Sequence, residues 1–357
     1  MAERANTVAD LSCPTPLRTN DTVLLGHGSG GKLSAELIRD VFLPALNNPV
    51  LSRLDDQAIV NVKGQRLAFT TDSFVVKPLF FPGGDIGSLA VHGTINDLAM
   101  GGATPLFLSA SFIIEEGFPM DQLRRIAASM REAANAANVQ IVTADTKVVE
   151  KGKGDGVFIN TAGIGVVGDD LDLSADRARP GDKVLLSGSI GEHGIAILAQ
   201  REGIEFETTI ESDSAALHTL VSDMLREGRG IRCMRDPTRG GLSSTLNEIA
   251  ALSHVEIELE ERAIPIREEV ASACELLGLD PLYVANEGKL IAIVDPVIAD
   301  SVLQAMRRHP LGKQAQIIGT IKAASSATVS YTHLDVYKRQ VFMLICTICI
   351  YCLCCPT

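Results

Sequence analysis

At 357 residues, with 46% hydrophobic and 21% charged residues, the chain reads as a globular protein of about two domains. A formal net charge of -12, no Trp and only 4% aromatic residues argue against a basic nucleic-acid groove or a stacking platform for single strands. A phosphate-bearing ligand should then be a small nucleotide escorted by metal, and no nucleic-acid partner is expected.

Residues 1–21 form an N-terminal extension with no apolar export segment, so the expected location is cytoplasmic. Before residue 330 the only cysteines are Cys13, Cys233 and Cys274, whose spacing fits neither a disulfide framework nor a zinc site. Residues 22–25 read as a short strand, followed by GHGSGGK at 26–32 and a helix over 33–42 that Pro44 should stop. Strand-like runs follow at 58–62 and 66–71. Asp85 suits the N-cap of a helix running to Ala99, and Gly101-Gly102 closes it. A strand at 106–114, a helix at 120–137 and strands at 139–144 and 157–167 complete a first domain, 22–168.

The polar stretch 169–181, ending in Pro180-Gly181, reads as a linker. A second domain, 182–325, opens with a strand at 183–187, a glycine-spaced turn and a helix into Gln200. Helices at 215–227, 242–251 and 298–307 and strands at 255–259, 290–294 and 316–321 follow. The expected fold class is α/β (α+β). From 326 to 357 the composition breaks, and this aberrant tail reads as a sequencing or cloning scar. Its apolar run, 341–353, is about 13 residues against the roughly 20 that span a bilayer as a helix, so no membrane partner is expected.

Asp55-Asp56, Asp72, Asn96-Asp97, Asp145 and Asp236 stand at or near the polar ends of strand-like runs, with no matching His or Cys cluster. Repeated carboxylates suit a hard cation held by oxygen, usually Mg2+ on phosphate. Singly, each acid could instead cap a turn or lie on a solvated helix face. Gly26, Gly31 and Lys32 have P-loop spacing, yet Leu33 stands where a hydroxyl should hold Mg2+, which counts against a P-loop NTPase. The glycines either let backbone N–H groups approach an anion or form a plain flexible loop. Lys147 is either a phosphate-binding cation or a surface lysine of an edge strand. Glu287, in a loop before a strand, is either a base or a solvated turn residue.

The strings GHGSGGK (26–32), TTDSFVVKPLFFPGGDIGSLAVHGTINDLAM (70–100), TADTKVV (143–149), MRDPTRGGL (234–242) and DPLYVANEGK (280–289) resemble, in order, the hydrogenase maturation family HypE. The resemblance spans roughly residues 20–322. It implies a two-domain aminoimidazole ribonucleotide synthetase-like fold, an N-terminal domain dimerising through its sheet as a homodimer, and ATP with Mg2+ in the cleft between domains. The implied reaction is the ATP-dependent dehydration of an S-carbamoyl group on a C-terminal cysteine to a thiocyanate, supplying the cyanide ligand of nickel-iron hydrogenases. HypF would deliver the carbamoyl group, and the HypC-HypD complex would receive the cyano group.

Carried onto matching positions, the resemblance assigns Asp55, Asp56, Asp72, Asp97, Asp145 and Asp236 to metal and phosphates. Gly28, Gly30, Gly31, Lys32, Asn96, Thr146, Thr238 and Arg239 would bind nucleotide, while Lys147 and Glu287 would deprotonate and stabilise the reacting amide. Selenophosphate synthetase or a small-molecule kinase of the same superfamily would use the same acids, although the former carries a reactive Cys or Sec in its glycine loop and Cys13 lies well before Gly26. A non-catalytic ATP-binding scaffold is a further alternative. Family members usually finish in Pro-Arg-x-Cys, whereas this chain reads Cys354-Cys355-Pro356-Thr357, so the expectation is an ATP site without the natural acceptor thiol.

Overall fold

The computed structural model describes residues 22–204, 209–324 and 329–332; the expected extension 1–21 lies outside them, as does the expected tail 326–357 except for residues 329–332, which pair with the second sheet. Where a strand was expected at 22–25, a 3-10 turn forms at Leu25–Gly28. Helix α1 (Gly31–Leu37) widens into a π turn (Ile38–Phe42) and continues as α2 (Leu43–Leu46). Pro44 does not stop it. The proline falls at the junction where the π turn passes into α2, and the wider turn carries the chain across it, Leu43 N–H reaching back to the Ile38 carbonyl.

The first sheet is built from β1 (Ala58–Val62), β2 (Gln65–Phe74), β5 (Ala103–Glu115), β6 (Gln140–Val149) and β7 (Val157–Val167), in the order β1-β2-β7-β5-β6. Neighbours run antiparallel except β5 and β6. A small hairpin, β3 (Phe80–Phe81) and β4 (Gly84–Asp85), leads into α3 (Ile86–Met100); α4 (Met120–Ala136) joins β5 to β6. Asp85 caps α3 by accepting the N–H groups of Gly87 and Ser88, as its position in the sequence suggests. Ala68, Val157 and Ile159 alternate toward these helices, which pack on one face of the sheet. On the opposite face Phe69, Ile164 and Phe107 stand in register across β2, β7 and β5, 46%, 41% and 42% exposed.

The second sheet has the order β13-β10-β12-β8-β11-β9, built from β8 (Lys183–Leu186), β9 (Ile231–Arg235), β10 (Val255–Glu260), β11 (Ile291–Val294), β12 (Gln316–Ala323) and β13 (Val329–Thr332). Its helices are α5 (Glu192–Glu202), α6 (His218–Leu225), α7 (Gly241–Ser253), α8 (Glu268–Leu277) and α9 (Ala299–Arg308). One core lies under α7 and a second under α6 and α9, which buries β8 and β11 on both faces. Ala99 and Met100, at the end of α3, enter the second of these cores beside Leu217 and Leu220, so the two units share apolar contacts. The expected α/β (α+β) class is the one that forms. β9 and α8 were not expected: the first is a five-residue run ending in charge, and the second buries only Val270, Ala273 and Cys274.

Candidate active site

The acidic residues do not all lie at strand ends. Asp72 sits within β2 opposite Thr161, Asp97 on the buried side of α3 and Asp145 within β6, while Asp55-Asp56 precede β1 and Asp236 follows β9. The fold nonetheless gathers Asp56, Asp97 and Asp236: one carboxylate oxygen from each lies within 4.8 Å of the others. Thr70 on β2 ties the group to the sheet, its Oγ1 lying 2.9 Å from both the Asp97 carboxylate and the Asp56 carbonyl.

Three carboxylates so close, Asp236 buried and Asp56 and Asp97 half-buried, repel one another. Burial, opposed by the Arg235 cation and reinforced by Asp236, pushes the Asp56 carboxyl up to about 8, and burial lifts Asp236 to about 6. Asp97 is held well above the usual carboxylate range by burial and by Asp236 and Asp56, and burial also raises Asp72. Asp56 pairs through Oδ1 with Arg235 at 2.9 Å, yet its buried Oδ2 has no hydrogen-bond partner. An orphaned oxygen within an all-oxygen donor set fits a hard divalent cation, which would relieve the repulsion.

Asp55 does not join this cluster. Its Oδ1 accepts from Ser174 Oγ at 3.1 Å and Ala175 N–H at 3.0 Å, and its Oδ2 pairs with Arg53 at 3.1 Å. With both oxygens engaged, it works as a clamp on the segment between the two sheets. Asn96, expected to donate to a nucleotide, is engaged in the same way. It is buried, with Nδ2 donating to the carbonyls of Ala215 and Glu287 and Oδ1 accepting Leu217 N–H, which leaves no donor for a nucleotide.

The glycine loop closes against the turn after Asp236. Thr238 N–H donates to the Asp236 carbonyl, and Arg239 reaches back to the Gly28 carbonyl at 2.9 Å. Gly30 has φ +79°, and a Cβ there would stand 2.7 Å from the Arg239 carbonyl oxygen, so only glycine permits this approach. Gly31 likewise has positive φ, at +70°. Lys32 extends into solvent beside Glu36 at 3.8 Å. The Arg239 cation opposes the rise that burial imposes on the Asp72 and Glu287 carboxyls.

Glu287 is half-buried between buried Asn286 and Gly288, not a solvated turn residue. Burial holds its carboxyl well above the usual range, and Asp236, Asp213 and Asp72 add to the effect. Lys147 is its opposite: it stands on edge strand β6 paired to Asp145 at 2.9 Å, with side chains 70% and 62% exposed, next to the exposed Thr146. Within one chain β6 is thus separate from the buried acids. Arg235, Glu248 and Asp213 escaped notice in the sequence. Arg235 ends a five-residue strand interrupted by Arg232, and no local pattern showed that it would be aimed inward at Asp56 and Glu248.

Two domains of one family match the chain: AIR synthase related protein, N-terminal domain, over residues 54–167, and AIR synthase related protein, C-terminal domain, over 179–332. Carbamoyl dehydratase HypE of Rhizobium leguminosarum bv. viciae is 59% identical over 305 residues, 85% of this chain and 87% of that protein. The chain belongs to the HypE family of carbamoyl dehydratases. Among solved structures, a chain of a HypE-HypF complex shares the fold at TM-score 0.80 and 48% identity, over 84% of this chain and 96% of that one. HypE in complex with ATP matches at TM-score 0.73 and 50% identity, over 87% and 94%. Kinship with HypE and its fold was thus legible in the quoted strings. Among the described residues no helix is long and apolar enough to cross a membrane.

Proposed function

We propose that this enzyme dehydrates an S-carbamoyl cysteine to a thiocyanate at the expense of ATP, in hydrogenase maturation. The observation that carries the reading is the gathering of Asp56, Asp97 and Asp236, one carboxylate oxygen of each within 4.8 Å of the others, in a chain of this family whose half-buried Glu287 has its carboxyl raised by burial and by Asp236. The amide oxygen of R–S–C(=O)NH2 takes the γ-phosphoryl group of ATP, giving an imidate phosphate and ADP. Loss of phosphate and of the remaining N–H proton then leaves R–S–C≡N. A carboxylate whose charge burial disfavours holds a proton firmly, the property Glu287 needs to take protons from the amide nitrogen.

Asp56, Asp97 and Asp236, with Asp72 near them, would hold Mg2+, and such an ion neutralises phosphate charge when bound. Gly28, Gly30 and Gly31 would cover the phosphates with backbone N–H groups, with Thr238, Arg239 and Lys32 adding donors. The apolar face of Phe69, Ile164 and Phe107 supports a homodimer formed through the first sheet. In that dimer the exposed Asp145, Thr146 and Lys147 of one copy would serve the phosphates and amide held by the other, which explains why they meet no acid cluster in their own chain. HypF is the fitting carbamoyl donor and HypC-HypD the acceptor. Two buried free thiols, Cys233 and Cys274, suit the reducing cytoplasm.

The test is intact-mass analysis after incubating the full chain, alone and fused to a Pro-Arg-x-Cys terminus, with HypF, carbamoyl phosphate, ATP and Mg2+. A carbamoyl adduct on the fused terminus that loses one water only with ATP is expected. Persistence of the carbamoyl adduct in the presence of ATP would refute the reading.

A further inference from the structure

Glu287 is held by its backbone. Its N–H donates to Asp213 Oδ1 at 3.1 Å, and its carbonyl accepts from Asn96 Nδ2 at 3.3 Å and Ala215 N–H at 3.4 Å. The next residue, Gly288, lies so close to the strand of chain carrying Asp213 that a Cβ would fall 1.8 Å from the Asp213 carbonyl oxygen. The other oxygen of Asp213 forms an ion pair with Lys289 Nζ at 3.1 Å, with side chains 4% and 13% exposed; it rests on charge rather than on an aligned hydrogen bond.

The segment 210–217 that delivers Asp213 has no regular structure of its own but is fastened at several points. Ser212 N–H donates to the Pro82 carbonyl at 2.8 Å, Ser212 Oγ meets His193 Nδ1 at 2.8 Å, and Ser214 Oγ meets His92 Nδ1 at 3.0 Å. The strap therefore joins both units of the fold at the point where Glu287 sits.

A buried ion pair is poor value as a source of stability, because desolvating both charges offsets much of their attraction and an apolar pair of similar volume often serves as well. What an apolar pair could not do is accept the Glu287 amide. We propose that the buried Asp213–Lys289 pair is a positioning device for Glu287: Lys289 fixes the rotamer of Asp213, and Asp213 fixes the backbone from which the Glu287 carboxyl projects. The assignment rests on the proposed role of Glu287 as base.

Two neutral double variants of the full chain with a carbamoylated Pro-Arg-x-Cys terminus test it without stranding a buried charge. Asp213→Ala/Lys289→Met removes the acceptor, whereas Asp213→Asn/Lys289→Met keeps an oxygen for the Glu287 N–H. The first should lower the single-turnover rate about 100-fold, as expected for a reacting group displaced by about 1 Å, with the KM for ATP within about twofold. The second should recover to within about tenfold of the parent, since the acceptor remains. Hydrogen exchange of the peptide containing Glu287 should quicken in the first variant and not in the second. Equal rates and equal exchange in both variants, or a KM that rises as far as kcat falls, would overturn the positioning role. If the parent chain forms no thiocyanate while the exchange contrast holds, the role of Glu287 as base fails and the clamp stands.

Discussion

Asp236 and Asp145 are each followed closely by a threonine and a cation, yet the fold gives them opposite surroundings. Asp236 follows β9, an edge strand largely buried against β11, shares its space with Asp56 and Asp97, and is pushed up to about 6. Asp145 lies on an edge strand open to solvent, where its hydrogen bond to Lys147 lowers its carboxyl below the usual range. One region is a charge problem that asks for a cation, and the other is an exposed ion pair ready to be presented elsewhere. Similar local sequence therefore says little about chemistry until burial is known.

The contrast can be broken most severely at Glu287. Glu287→Gln should reduce thiocyanate formation by about 1000-fold, the loss of a general base, with ATP affinity preserved; quench-flow with mass readout checks it. Lys147→Ala should cost about 100-fold, as removal of one transition-state charge does. Mixing the two variants sharpens the comparison. If β6 serves the partner's cleft, mixed dimers combine one intact site with one doubly defective site, and activity should return to about a quarter of the parent's. No recovery would place Lys147 in its own chain's site.

The buried region also predicts a pH dependence with the reverse of the usual carboxylate sign. Asp56 has a folded value near 8 against an ordinary 3.8, so between these the metal-free folded protein holds a proton that the unfolded chain has lost. Stability of the chelator-treated protein should then fall as pH rises from about 4 to about 8, and Asp56→Asn should flatten that slope; urea midpoints across the range measure it. Added Mg2+ should raise the midpoint most at the alkaline end. The smallest effect is expected at Asp55. Asp55→Ala should lower stability by about 1–3 kcal/mol through the lost clamp on Ser174 and Ala175, while leaving Mg2+ affinity unchanged. A weakened Mg2+ response in this variant would return Asp55 to the metal site.

Much of the fold was legible because its signals are local. α3 announces itself through the Asp85 cap and the Gly101-Gly102 stop, and β7 through a run of residues 157–167 without a charge and rich in Val, Ile, Phe and Thr. β9 was illegible because five residues carry no usable period. The site was legible in residue type and partly misread in duty. Nothing in Asn96-Asp97 reveals that the amide would be consumed by Ala215, Glu287 and Leu217 while the neighbouring acid turns to Asp56 and Asp236.

The sequence by itself determined the family, the class of fold and the chemistry on offer: carboxylates for a hard cation, glycines for phosphate and one acid suited to be a base. Those follow from residue type and spacing, which are properties of the chain. Only the tertiary structure decided which carboxylates share a site, which is a clamp and which face solvent. The physical reason is that desolvation and like-charge proximity depend on distances between residues far apart in sequence, as Asp56 and Asp236 are, and local pattern carries no record of them.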